Sequence, residues 1–316
     1  MNKYMQTFFE IVQEENFTAV ALGFFDGIHM GHRKVLSSAV DEKANGLLPV
    51  CFTFEQSPRS VISGQSVEAV ISYDTKLELM ENMGIEHLYM CDFKAFMDIE
   101  PEEFVEKILI GKLRAKKLFC GFNYRFGKQG RGDTALLSEI CKKHGAEVCV
   151  VSPVEYEGEV VSSTLIRSLI KDGDIARANT LLCSRYGFSA EIISGRKLGR
   201  TLDTPTMNQK LTDGLIVPKF GVYASVVTLS DGSKYCGVTN IGIKPTVDGK
   251  ELLSETWMPD YCGGEIYGEI ADVRLLEFIR PEKKFSSLDE LRTAIIDNGM
   301  TAREIYNKIL EINNEA

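Results

Sequence analysis

The chain has 316 residues, 44% of them hydrophobic, enough to bury a sizeable core and to form two domains. A formal net charge of −9 and a sequence pI near 5.2 argue against a broad basic face, and so against nucleic acid as a partner; any phosphate ligand must be held by local groups. Eight cysteines without a C-x-x-C pair point to reduced thiols in a cytoplasmic protein, and no apolar run approaches a signal-peptide core or a membrane span.

The first strong pattern is residues 17–34, FTAVALGFFDGIHMGHRK. An apolar run ending at Phe25 predicts a buried strand, Asp26-Gly27 a tight turn, and the pattern from about Gly31 a helix. A helix starting just past a strand end aims free N–H groups and the positive end of its dipole at one spot, which suits a phosphate. His29 and His32, two of the four histidines, sit three apart across that helix start and can donate to the same ligand. Gly31 between them leaves room for close approach. Gly23, Phe25, Asp26 and Gly31 are therefore candidate nucleotide-binding residues beside the two histidines. Zinc is disfavoured, because no cysteine or third histidine lies nearby in sequence.

Downstream, LLPVCFTF predicts a second strand, and Thr75-x-x-Glu78 a capping box for the helix KLELMENMG. IEHLYMCDF, a helix opening at Pro101, the strand AKKLFCGF, the helix TALLSEICKKHG and the strand AEVCVVSPVEY continue the alternation. Alternating strands and helices predict a doubly wound parallel sheet, Rossmann-like in build. Asn123, in Gly121-Phe122-Asn123-Tyr124-Arg125-Phe126-Gly127, follows a strand at the edge where such sheets bind ligands. Ser163, Thr164 and Arg167, in Ser162-Ser163-Thr164-Leu165-Ile166-Arg167, read both as helix-capping residues and as a second phosphate cradle.

Beyond KDGDIARANTLL the texture becomes strand after strand, with Asp231-Gly232 a hairpin turn. This predicts a boundary near Cys183: residues 1–182 form the α/β domain and residues 183–316 a small antiparallel β-barrel. Capping boxes at Ser287-x-x-Glu290 and Thr301-x-x-Glu304, separated by Asp297-Asn298-Gly299, predict two terminal helices. The barrel carries its own phosphate-handling set: Gly195, Lys197 and Gly199 in a basic loop, Thr206 and Asn208 as ligands for Mg²⁺ and ATP phosphates, and Glu255.

Gly-Phe-Phe-Asp-Gly-Ile-His-Met-Gly-His resembles the signature of the nucleotidyltransferases with a His-x-Gly-His motif, in the form used by bacterial bifunctional riboflavin kinase/FMN adenylyltransferases. The Asn123 loop, the Ser-Ser-Thr-x-Ile-Arg segment and the barrel motifs 221–223, 239–246 and 267–268 resemble the same family, so the likeness covers nearly the whole chain. It implies phosphorylation of riboflavin to FMN by ATP in the barrel and adenylylation of FMN to FAD in the first domain. Riboflavin, FMN, FAD and ATP are the implied small-molecule partners, with Mg²⁺ as cofactor. By the same resemblance His29, His32 and Arg167 are catalytic in adenylyl transfer, Thr206 and Asn208 hold Mg-ATP, and Glu255 is the base for the ribityl hydroxyl. Departures from the family pattern are Tyr124, Gln56-Ser57-Pro58, Asp203 beside the kinase phosphates, Lys244 for the usual Arg and Trp257 for the usual His. Two alternatives stand beside this reading: a His-x-Gly-His transferase for a cytidylyl or nicotinate-type substrate, and a degenerate flavin-binding regulator. The sequence assigns no oligomeric state.

Overall fold

The structure is a computed structural model describing residues 1–6, 11, 13–194, 204–246 and 249–314. Gly195, Lys197, Gly199 and Asp203 lie outside the described residues, as does the side chain of Lys244. Contacts divide the chain into two compact units, Met1–Ala69 with Tyr73–Ser163, and Val70–Ser72 with Thr164–Ala316.

The first unit runs β1 (Asn2–Gln6), β2 (Thr18–Leu22), α1 (Met30–Asp41), β3 (Leu48–Phe54), α2 (Pro58–Ser63), α3 (Tyr73–Asn82) and β4 (His87–Cys91). It continues with α4, which opens as Pro101–Glu103 and widens to a π-helix over Phe104–Lys112, then β5 (Ala115–Gly121), α5 (Thr134–Lys143) and β6 (Glu147–Val151). A short hairpin, β7 (Glu155–Tyr156) with β8 (Glu159–Val160), follows. The six strands form one sheet in the order β1-β4-β3-β2-β5-β6, every pair parallel. β2 is buried along its whole length, as a central parallel strand covered on both faces must be. Its Val20 and Leu22 pack with Phe52, Tyr89, Phe104 and Leu118 in the main core. α3 starts two residues earlier than its sequence signal, so Thr75 lies inside the first turn and not at the cap.

The second unit contains α6 (Ser163–Asp172) from its second residue on and α7 (Ile175–Leu182). Its barrel is β9 (Gly187–Ile193), β10 (Thr206–Lys210), β11 (Gly221–Thr228), β12 (Lys234–Thr246), β13 (Gly249–Trp257) and β14 (Ile270–Pro281), followed by α8 (Leu288–Asn314). The barrel closes in the order β10-β13-β12-β11-β14-β9, with antiparallel neighbours throughout. By contacts the two compact units divide at the start of α6, and α7 is tied to the barrel: Asn179 Nδ2 donates to the Leu275 carbonyl at 2.8 Å, and its Oδ1 accepts the Tyr186 N–H at 2.7 Å.

The C-terminus holds one helix where two were expected. Ser287 does cap it, its Oγ accepting the Glu290 N–H at 3.1 Å. Thr301, however, sits in mid-helix and donates back to the Asp297 carbonyl. Gly299 does not break the helix; it lets α8 lie close to Trp257, since a Cβ there would fall 2.7 Å from the indole Cζ3.

Candidate active sites

In the first unit the chain leaves β2 for β3 and β4 on one side and reaches β5 and β6 on the other. The crevice between the carboxyl ends of β2 and β5 is thus the topological switch point, the usual ligand position in an open α/β sheet. Residues 23–32 and 121–123 both leave the sheet there.

The β2–α1 turn is built from left-handed residues: Phe25 (φ 56°), Gly27 (φ 88°) and Ile28 (φ 43°). Two of these carry a Cβ, at a cost of about 1–2 kcal/mol each, so the surroundings must hold the turn in place. Side chains grip every second carbonyl. Lys76 Nζ and Thr53 Oγ1 donate to the Phe24 carbonyl at 2.6 and 3.0 Å, Ser163 Oγ to that of Asp26 at 2.9 Å, and Arg33 Nε to that of Ile28 at 3.1 Å. Ser163 therefore clamps the turn as well as opening α6. The Phe25 ring is fully buried, edge-on to His32, so Phe25 serves through packing; a Cβ at Gly23 would strike that ring at 2.9 Å. The Asp26 side chain is buried as well.

His29 is the N-cap of α1, and its Nδ1 accepts the His32 N–H at 3.4 Å. With Nδ1 accepting, the neutral ring carries its proton on Nε2, the nitrogen able to donate to a phosphate oxygen. The two imidazoles stack with centroids 3.6 Å apart and planes 18° from parallel. Gly31 permits this, since a Cβ there would sit 3.3 Å from the His29 ring. Burial pushes the His29 pKa down to about 4. His32 is held well below its ordinary value by burial, then by His29 and Lys76. The pair is therefore neutral at pH 7. His32 Nδ1 is buried with no hydrogen-bond partner among the described residues, a costly state for a polar atom.

A stability prediction follows from the sign of this shift. The unfolded chain takes up a proton at His29 near pH 6.5, whereas the folded chain resists until about pH 4, so the unfolded state binds more protons between those values. Stability should fall as pH drops through that window, by up to ~3 kcal/mol from His29 alone. Thermal unfolding from pH 7 to 4 should show a shallower drop for His29→Asn than for wild type; equal drops would assign the acid sensitivity to other groups.

Asn123 lies exposed in the turn after β5, a turn closed by the Tyr124 N–H on the Gly121 carbonyl at 3.0 Å. Tyr124 stacks on Phe126 against the core. Thr164 is exposed and Arg167 half-buried on α6, in the second unit.

In the barrel, Thr206 and Asn208 lie on β10 and not in a loop; as alternate residues they share one face. Register aligns Asn208, Glu255, Asn240, Val222 and Arg280 in one row across five strands. The neighbouring row holds Thr206, Trp257 and Val238. These rows face outward, where α8 packs on Val222 and Val238. The opposite face fills the barrel and is locked by a hydroxyl chain, Ser225 to Thr239 at 2.8 Å and Thr239 to Thr256 at 2.9 Å. A cavity of ≈ 290 Å³ lies between the outer face and α8, lined among others by Thr204, Thr206, Asn240, Glu255, Trp257 and Arg280. Arg280 Nε donates to Asn298 Oδ1 of α8 at 3.2 Å, and its guanidinium lies 5.5 Å from the Phe285 ring centre. The Thr204 hydroxyl is buried without a hydrogen-bond partner among the described residues.

These oxygen donors suit a hard cation such as Mg²⁺, which takes few protein ligands and completes its shell with water and phosphate. No group of three or more His, Cys, Asp or Glu able to hold a metal exists among the described residues.

Gly299→Ala tests the wall of this cavity. Helix propensity alone would stabilise Ala by about 1 kcal/mol. The indole 2.7 Å from the new Cβ reverses the sign. We expect a lower melting temperature as Trp257 is pushed into the cavity; a higher melting temperature would refute this.

Lys76 and Arg280 were not anticipated from the sequence. The available signal at Lys76 was a lysine on the buried stripe of a short helix, one turn before Met80.

Comparison with known proteins gives a consistent result. A family model described as FAD synthetase matches residues 11–165, and one described as riboflavin kinase matches residues 182–306. A bifunctional riboflavin kinase/FMN adenylyltransferase of Listeria monocytogenes is 32% identical, over 92% of this chain and 93% of its own. One of Bacillus subtilis is 33% identical, over 95% and 96%. A crystal structure described as a macrolide-efflux protein from Streptococcus pneumoniae superposes with a TM-score of 0.86 at 29% identity, covering 96% of this chain and 99% of that one. No helix among the described residues here is long and apolar enough to cross a membrane.

Proposed function

The chain belongs to the family of bifunctional riboflavin kinase/FMN adenylyltransferases, and on that premise we propose how its residues divide the work. The enzyme phosphorylates riboflavin to FMN with ATP and adenylylates FMN to FAD with release of pyrophosphate. We assign adenylyl transfer to residues 1–182 and phosphorylation to residues 183–316, in a cytoplasmic enzyme.

In adenylyl transfer a phosphate oxygen of FMN attacks the α-phosphorus of ATP, and the bond to the bridging oxygen breaks as pyrophosphate leaves. No covalent enzyme intermediate is needed, so catalysis rests on positioning and on stabilising charge at the phosphoryl oxygens. The observation that carries this reading is the stacked, neutral His29–His32 pair at the switch point, with His29 Nε2 left as a donor. Gly23, Phe25, Asp26 and Gly31 shape the turn around it, and we also assign Asn123, Ser163, Thr164 and Arg167 to nucleotide binding.

In phosphorylation the terminal ribityl hydroxyl attacks the γ-phosphorus of ATP and ADP leaves. Glu255, flanked in register by Asn208 and Asn240, takes the hydroxyl proton. Thr206 and Asn208 would hold Mg²⁺ together with the ATP phosphates; a bound Mg²⁺ offsets phosphate charge and orients the transferring group. We also assign Gly195, Lys197 and Gly199 to nucleotide binding.

Incubation with riboflavin, ATP and Mg²⁺ followed by chromatography tests the whole reading. FMN should appear first and FAD second. FMN without FAD would remove the adenylyl assignment, and absence of both would remove the reading altogether.

A further inference from the structure

Lys76 belongs to neither phosphate motif, yet it is buried beneath the β2–α1 turn. Its Nζ donates to the Phe24 carbonyl at 2.6 Å and to Thr53 Oγ1 at 3.2 Å, and lies 4.7 Å from the Phe24 ring centre. Thr53 in turn donates to the same carbonyl. A leucine or methionine would fill this space without the penalty of burying an ammonium, so the charge calls for an explanation. The gripped carbonyl immediately precedes Phe25, the first left-handed residue of the turn that ends at His29. With Ser163 on Asp26 and Arg33 on Ile28, Lys76 completes a set of clamps on alternate carbonyls. Of the three clamps it is the one seated on α3, so it ties the turn to that helix.

We propose that Lys76 is a positioning residue for adenylyl transfer: its ammonium, through the Phe24 carbonyl, holds the turn that presents His29 and His32, and it does so only while charged. This rests on the assignment of the histidine pair to adenylyl transfer. Among the described residues three titratable groups face Lys76: Asp26 from the turn, Cys51 from β3 and His32 from α1. Burial pushes the Cys51 thiol up to about 12 and holds His32 well below its ordinary value, so neither titrates near neutral pH. Burial brings Lys76 itself down to about 8, against the pull of Cys51 and Asp26. The positioning charge is therefore lost as pH rises through about 8. A neutral amine still donates one bond but no longer fastens the carbonyl with a charge-assisted one.

The test is the pH profile of kcat/KM for ATP in FAD formation from supplied FMN, which reports groups of the free enzyme. Wild type should decline above pH ~8, approaching tenfold per pH unit. Lys76→Met, which keeps the stem, should be at least tenfold slower at pH 7 and flat from pH 7 to 9, with a melting temperature within a few degrees of wild type. Lys76→Arg should recover part of the activity and show no decline to pH 9, because guanidinium stays charged. A wild type without the alkaline decline, a Lys76→Met enzyme that keeps it or retains wild-type kcat/KM, or an arginine variant no better than the methionine one would each overturn the proposal. Should Lys76→Met fail to fold, Lys76→Arg decides: activity without the decline supports the proposal, and a retained decline overturns it. His29→Ala, assayed alongside, separates the two levels. Wild-type FAD formation in that variant removes the histidine assignment itself, whereas its loss beside a wild-type-like Lys76→Met removes only the role of Lys76.

Discussion

His29→Ala is expected to lower FAD formation from supplied FMN and ATP by at least a hundredfold, in a chain that still folds. Loss of one pre-positioned donor to developing phosphoryl charge costs about 10²- to 10³-fold in comparable sites. His29 also caps α1 through Nδ1, so some stability is lost too, about 1 kcal/mol for a missing cap. The two roles separate in His29→Asn, because asparagine can still accept the His32 N–H but lacks the Nε2 donor. That variant should unfold near the wild-type temperature at neutral pH and remain as slow as His29→Ala. Both variants, given riboflavin, should accumulate FMN. FAD formation within a few-fold of wild type would sink the assignment, and inactivity confined to a protein that no longer unfolds cooperatively would show only that the cap matters.

Glu255→Gln should abolish FMN formation while leaving the conversion of supplied FMN to FAD intact. The substitution keeps the shape and the hydrogen-bonding reach of the side chain but removes the base, and general-base catalysis contributes about 10²- to 10⁴-fold. Because Asn208 and Asn240 flank Glu255 in register on adjacent strands, an amide there can be accommodated and the barrel should hold. Residual phosphorylation near wild-type rates would make Glu255 a wall of the cavity rather than a base. Loss of both reactions in a cooperatively folded variant would argue against separate sites and for a shared one.

Much of this was legible in the sequence because it depends on local rules. β2 could be read from its apolar run, although it ends at Leu22 and Phe25 belongs to the turn, and that turn could be read from Asp26-Gly27. The barrel hairpin followed from Asp231-Gly232, whose glycine takes φ 85°. Where local rules competed, the reading failed. Thr75 and Thr301 both match the first position of a capping box, yet both lie inside helices, since a box is only a preference and packing extends the helix past it. Gly299 carries a breaker's signature and proved to be a contact residue instead.

By itself, then, the sequence determined the two architectures and the strand-turn-helix at His29, and it nominated the candidates for handling phosphate, because periodicity, turn chemistry and side-chain chemistry act over a few residues. Only the tertiary structure decided how those groups are poised. It stacked His29 on His32 and buried them into neutrality, brought Lys76 from a helix some fifty residues away onto the carbonyl of Phe24, and set Glu255 between Asn208 and Asn240. It also moved α7 into the barrel unit through Asn179. Apart from the stacking of His29 on His32, which are three residues apart, each of these is a contact between residues distant in the chain, and its energy comes from desolvation and hydrogen-bond geometry that no local window contains.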